Sequence, residues 1–259
     1  MHRCLLVALV FLSWLAGAAS AQQVVDLPTR PGVTQRLLVV PAPAARATLI
    51  MLAGGHGGLQ VQADGSLQWG AGNFVVRTRA LFVDAGFHVV LLDAPSDRQT
   101  PPFLSGNRQT PEHVADVRAT IAWARKTYSL PVWLVSTSRG TQSAAYLATE
   151  LPGSDGPDGL VLTSSILTDN RSRAVPALPL EKIRIPVLVV HHEQDGCKVC
   201  AFSDMPQLMA RLTQAPHREL LSFTGGTSRG DPCEAFAYHG YNGIEADVVA
   251  QIARWIRAH

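Results

Sequence analysis

The strongest constraint on this chain is a set of short apolar runs, most of them continuous, at residues 36–40, 47–53, 87–93, 132–136, 159–164, 187–192 and 218–223. A strand that alternates apolar and polar residues keeps one face wet, whereas a strand that is apolar throughout needs both faces covered. Longer stretches with helical spacing fill the gaps, so the order is strand then helix, repeated. This pattern predicts an α/β fold: a mainly parallel central sheet of about seven to eight strands with helices on both faces.

The clearest helix is expected over 110–128, where Val114, Val117, Ile121 and Ala124 recur at three or four residues, with Pro111 early and Glu112 in the first turn. Further helices are expected over 74–85, closed by Gly86, over 141–150, stopped before Pro152, and over 205–212. The last, 244–256, carries Ile244, Val248, Ile252 and Trp255 or Ile256 on one stripe, which packing against the sheet would bury. Three connections, 59–72, 94–109 and 167–184, are longer than tight turns. They are expected around the C-terminal edge of the sheet, where open α/β folds place ligands.

Of the 259 residues 47% are hydrophobic, enough to bury a substantial core. Twenty-two basic against 20 acidic residues leave a formal charge of +2, which offers no field for a polyanion, so nucleic acid is not an expected partner. The N-terminus has His2 and Arg3, an apolar run over 5–15, and Ala19-Ser20-Ala21 as a small-x-small cleavage site. That run is shorter than the ~20 residues of a membrane span. Residues 1–21 are therefore read as a secretory signal peptide and 22–259 as one domain, secreted or periplasmic, with no membrane span.

Removal of the leader takes Cys4 with it and leaves Cys197, Cys200 and Cys233. Three cysteines in an oxidising compartment suggest one bridge and one thiol. The Cys197-Lys198-Val199-Cys200 motif follows a strand and an acidic loop, not the first strand and helix of a thioredoxin-like redox centre. A zinc site would need a fourth ligand from scattered histidines. A structural bridge from Cys197 or Cys200 to Cys233 is the expectation.

The chemistry-bearing motif is Ser136-Thr137-Ser138-Arg139-Gly140, between an apolar strand and a helical run. A strand-to-helix elbow exposes its central side chain, and small residues two before and two after let neighbouring backbones approach. Ser138 is thus the candidate nucleophile. With this motif the chain resembles the α/β-hydrolase family, over most of the sequence from Arg36 onwards. Ser136 stands where Gly is usual. The family's order of nucleophile, acid and base implies Asp195, in Glu193-Gln194-Asp195-Gly196, as the acid, with Glu193 as a substitute. The base it implies is His239, in Tyr238-His239-Gly240, just before the last helix.

An imidazole would take the serine proton and return it to the leaving group, while a carboxylate fixes the ring's tautomer. The developing oxyanion needs preorganised N–H donors. Arg139 is expected to supply one, and Gly55 the other, with His56 next, from Gly54-Gly55-His56-Gly57-Gly58 after an early strand. Neither GxGxxG nor GxxxxGK[ST] occurs, so the glycines are not read as a phosphate loop. No cofactor or metal is implied.

The resemblance implies a serine hydrolase acting on a small-molecule ester (or amide or thioester), the ester being the easiest substrate, with a serine peptidase or amidase, or a thioesterase, on the same triad as alternatives. A non-catalytic binding protein on the same fold is another. Metal-dependent hydrolysis by His191, His192, Glu193 and Asp195 is disfavoured, because adjacent strand residues face opposite ways. Trp69, Phe103 and Tyr241 are candidates for an apolar pocket. The Arg139 side chain is left between attracting an acidic substrate and forming an ion pair.

Overall fold

The computed structural model describes residues 22–259. The leader read at 1–21, Cys4 included, lies outside the described residues. Eight strands form one sheet: β1 (Gln23–Arg30), β2 (Val33–Val40), β3 (Ala47–Leu52), β4 (Phe87–Pro95), β5 (Val132–Thr137), β6 (Gly159–Thr163), β7 (Val187–His192) and β8 (Arg218–Phe223). Their spatial order is β1-β2-β4-β3-β5-β6-β7-β8. β1 pairs antiparallel with β2 and β2 antiparallel with β4; every other pairing is parallel. The mainly parallel sheet expected from the apolar runs is thus present, and every residue of β3, β5, β6 and β7 is buried.

Helices α1 (Phe74–Arg77), α2 (Arg79–Asp84), α3 (Pro111–Tyr128), α4 (Arg139–Glu150), α5 (Met205–Arg211) and α6 (Glu245–Ala258) cover the sheet. The pleat sends alternate side chains to two cores. On one face Ile50 and Leu52 of β3 meet Val117 and Ile121 of α3, Leu147 of α4 and Leu208 of α5. On the other, Leu49 and Met51 meet Phe74 of α1, Phe82 of α2 and Ile252 of α6. Each fully buried Leu, Ile or Phe contributes about 1.5–3 kcal/mol, so both layers are needed to hold the central strands, which have no wet face.

Two elements differ from the sequence-based expectation. The strand β1 was not foreseen: Gln23–Arg30 contains Asp26 and Pro28, and its register shifts between Pro28 and Arg30. As an edge strand it is largely half-exposed, which removes the apolar signal on which the other strands stand out, and an edge is where Pro is tolerated. The single helix expected over 74–85 is two short ones. They part at Thr78, whose hydroxyl donates to Phe74 O at 2.6 Å and competes with the helical ladder. By contrast α3 starts as expected: Thr110 caps it, accepting from the His113 amide at 3.4 Å, and Pro111 occupies the first position.

Candidate active site

The C-terminal ends of β3, β5 and β7, with the segment after β8, converge on a cavity of about 880 Å³ lined by Gly55, Ser138, Arg139 and His239 among others. Ser138 joins β5 to α4 with φ 51° and ψ −129°, a left-handed conformation that costs a non-glycine residue about 1–3 kcal/mol. Three hydrogen bonds hold it there. Its amide donates to Thr163 O at 3.0 Å, and its carbonyl accepts from the Thr141 amide at 2.8 Å and the Thr141 hydroxyl at 2.6 Å. Small neighbours are required on either side: a Cβ on Gly54 would lie 2.9 Å from Ser138 Cβ, and one on Gly140 would lie 2.2 Å from Leu52 O. Ser136 is fully buried in β5 and donates to Val161 O at 3.1 Å, so a serine fits where Gly is usual.

Asp195 lies just beyond β7 and His239 in the turn before α6, and the structure brings them together. His239 Nδ1 is 2.8 Å from Asp195 Oδ2, and both residues are buried. The carboxylate is anchored further by the Cys197 amide, which donates to Oδ1 at 2.9 Å, and His191 Nε2 lies 3.5 Å from Oδ2. Among the described residues His239 Nε2 has no hydrogen-bond partner, and His239 lines the same cavity as Ser138. Glu193 is turned away, accepting from the Ser222 hydroxyl of β8 at 2.7 Å on the surface. The remaining strand-end histidines are occupied elsewhere. His191 is fully buried with Nε2 2.7 Å from Cys200 O, and His192 Nε2 lies 2.9 Å from Gly225 O.

The expected oxyanion donors also gather at the cavity. Arg139 begins α4, where an amide has no acceptor within the helix, and the Gly55 amide has no intramolecular acceptor among the described residues. The His56 ring is set back from the cavity, between Trp69 at 3.7 Å and Phe103 at 4.3 Å between centroids. Its Nδ1 accepts from the Gly58 amide at 3.1 Å, so any contribution by His56 would come from its backbone.

Several pocket expectations need correction. Trp69 lines the cavity, but Phe103 packs beneath the glycine loop and Tyr241 is a core residue whose hydroxyl donates to Val190 O at 2.8 Å. The Arg139 guanidinium is an ion-pair member, 2.8 Å from the buried carboxylate of Asp169. Burial raises the Asp169 pKa, yet hydrogen bonds from the Arg171 amide, Gln142, Ser172 and Arg139 together outweigh it and hold the group down to about 2. The outer wall is built mainly by 229–236, after β8, which was not among the long loops singled out. Asn73, Arg229 and Phe236 therefore came as additions; Phe236 is 51% exposed, and the Arg77 guanidinium lies over its ring at 5.4 Å.

The cysteines resolve as one bridge and one thiol. Cys197 is joined to Cys233, and Cys200 is free and buried, its thiol pKa pushed up by the burial. The CxxC pair is thus not bonded to itself. The bridge ties the loop holding Asp195 to the loop leading into His239. Closing a separation of 36 residues, it should stabilise the protein by about 2–4 kcal/mol. Complete reduction, verified by mass, is expected to lower both the melting temperature and the hydrogen-exchange protection of the loops around Asp195 and His239. Unchanged values of both would remove any role for the bridge in holding these loops.

No family model matches the sequence, and no curated protein matches it significantly. Solved structures do match in three dimensions. An α/β serine hydrolase without lid from Xanthomonas campestris superposes with a TM-score of 0.60 at 17% identity, over 94% of this chain and 98% of that one. An esterase from Pyrococcus furiosus gives 0.65 at 12% identity over 92% of each chain. A dienelactone hydrolase from Anabaena variabilis gives 0.61 at 14% identity, over 92% of this chain and 98% of that one. Among the described residues no helix is long and apolar enough to cross a membrane. With its sheet order, its strand-to-helix elbow and these neighbours, the chain has the α/β-hydrolase fold.

Proposed function

We propose that the protein is a secreted serine hydrolase that cleaves carboxylic esters of small molecules through an acyl-enzyme. The observation that carries this reading is the His239 ring. One nitrogen is held 2.8 Å from the buried carboxylate of Asp195, and the other is unpartnered in a residue lining the cavity that Ser138 also lines. On this reading Ser138 Oγ attacks the ester carbonyl carbon as Nε2 takes its proton. The imidazolium then passes that proton to the departing alkoxide, and water repeats the sequence to release the acid and restore Ser138. The amides of Gly55 and Arg139 receive the negative charge of each tetrahedral intermediate, an interaction worth several kcal/mol where donors are fixed in advance.

The walls favour an apolar substituent: Trp69, Phe74, Ile166, Val199 and Phe236 line the cavity. An ester is preferred over an amide because its leaving group departs more easily. The esterases that share the fold support the class, and the disulfide suits a compartment where such bonds persist. The deciding experiment is incubation of mature protein, wild type and Ser138→Ala, with a fluorophosphonate probe followed by intact mass. A single adduct on wild type alone is the expected result. A folded wild type that takes no label would overturn the reading in favour of a binding protein.

A further inference from the structure

Arg108 is a buried arginine, 5% exposed, and among the described residues none of its hydrogen-bond partners is a carboxylate. Its Nη2 reaches three successive carbonyl oxygens of the glycine loop: Ala53 at 3.0 Å, Gly54 at 3.4 Å and Gly55 at 3.0 Å. Its Nη1 donates to the Ser143 hydroxyl of α4 at 3.1 Å. The surroundings are shaped for this grip. A Cβ on Gly57 would lie 2.6 Å from Nη2, and a Cβ on Gly58 would lie 2.2 Å from the Phe103 ring. The same segment is pinned a second time by the Leu104 amide, which donates to His56 O at 3.0 Å.

In a trans peptide the C=O and the following N–H point in opposite directions. Drawing the oxygens of Gly54 and Gly55 to one guanidinium therefore turns the amides of Gly55 and His56 to the other side of the loop. Those amides, with that of Gly54, have no intramolecular acceptor among the described residues. Gly54 itself is packed against Ser138. Leaving polar groups unpartnered costs about 1–3 kcal/mol each when they are buried, so a loop with the carbonyls of Ala53, Gly54, Gly55 and His56 satisfied on one side and the amides of Gly54, Gly55 and His56 free on the other is poised for an anionic atom.

We propose that Arg108 is a positioning residue that aims the oxyanion-binding amides at the carbonyl carbon attacked by Ser138. This rests on the serine-hydrolase reading and deepens it. Arg108 does not touch substrate; it acts through the peptides it holds, so its removal should weaken the transition state and leave ground-state binding nearly untouched.

The test compares wild type with Arg108→Met, Arg108→Lys and Ser143→Ala, with kcat expressed per active site titrated by the fluorophosphonate, and with an alkylboronic acid as a tetrahedral mimic. Arg108→Met is expected to lose about 10- to 100-fold in kcat, to keep KM within about twofold, and to lose boronate affinity by the same factor as kcat/KM. Arg108→Lys, which keeps a donor for the carbonyls, should recover part of that loss. Ser143→Ala leaves the guanidinium but frees one end of it, and a severalfold fall in kcat with a matching fall in boronate affinity is expected. It decides the matter if Arg108→Met does not fold. Full kcat per titrated site in the folded variants, or losses in KM and boronate affinity that do not track kcat, would overturn the proposal. A wild type that neither titrates nor turns over would instead remove the serine-hydrolase reading on which it stands.

Discussion

On the proposed serine-hydrolase mechanism, Asp195→Asn is expected to lower kcat by about 10⁴-fold while leaving the fold intact. The carboxylate accepts from the Cys197 amide with Oδ1 and lies 2.8 Å from His239 Nδ1 with Oδ2. An amide of the same shape would place its NH2 against Nδ1 and so favour the ring tautomer with the proton on Nε2. That tautomer has no lone pair with which to take the Ser138 proton. The oxyanion donors remain, so residual turnover should persist, and KM should hardly move. Ester kinetics with melting temperatures measured alongside provide the check. Glu193→Gln is the control: its carboxylate accepts from Ser222 at the surface, and turnover should be unchanged. If instead Asp195→Asn kept activity within about tenfold, the acid of the triad would have to be sought elsewhere.

Gly140→Ala is expected to cost at least about 3 kcal/mol of stability, or about 6–12 °C in melting temperature for a domain of this size. The added methyl would lie 2.2 Å from Leu52 O and 3.0 Å from Ala53 O. Both are backbone atoms, which have no rotamer to change, so α4 would have to withdraw from β3. The withdrawal would carry off the Arg139 amide and misplace Ser138, making activity fall further than stability alone predicts. Gly106→Ala separates this clash from the general strain of losing a glycine. Gly106 has φ +81° and nothing within 4 Å of the added Cβ, so its substitution should cost only the backbone strain, about 1 kcal/mol. Similar melting temperatures for the two variants would mean that the close approach of α4 to β3 is not needed.

Much of the architecture is written in local pattern, because strands buried on both faces have no choice but to be apolar. β3, β5, β6 and β7 are such strands and were legible. The antiparallel strand β1 was not, since an edge strand with Asp26 and Pro28 looks like a loop until its partner is known. The site divides in the same way. Ser138 announces itself by its neighbours, and the elbow needs small residues at fixed offsets. Asp195 and His239 rest on the family resemblance, and the structure brings their side chains together.

Arg108 gave no local signal at all. An arginine in a segment rich in Gly, Pro and Ser reads as solvated, and only the fold brings the carbonyls of 53–55 to it. The outer wall was missed for a related reason. Residues 229–236 are mostly exposed, with no periodicity, and they become a wall only because Cys233 is fastened to Cys197.

That fastening divides the rim into a part that must stay and a part that is free to vary. The pairing of Asp195 with His239 is secured on one side by the bridge and on the other by the packing of Tyr241, whose hydroxyl reaches Val190 and Ser164. Between β8 and Cys233, residues 224–232 are exposed, and Gly225, Gly226 and Gly230 adopt positive φ. Gly225 and Thr227 are tied to His192 and Asn242, so the part free to change is 228–232, where a new length or sequence would reshape the mouth of the cavity without pulling on the Asp195–His239 pair of the proposed mechanism. On the serine-hydrolase reading, that short stretch is a graft site, where the cavity mouth can be rewritten and the covalent stop at Cys233 keeps the change from reaching His239.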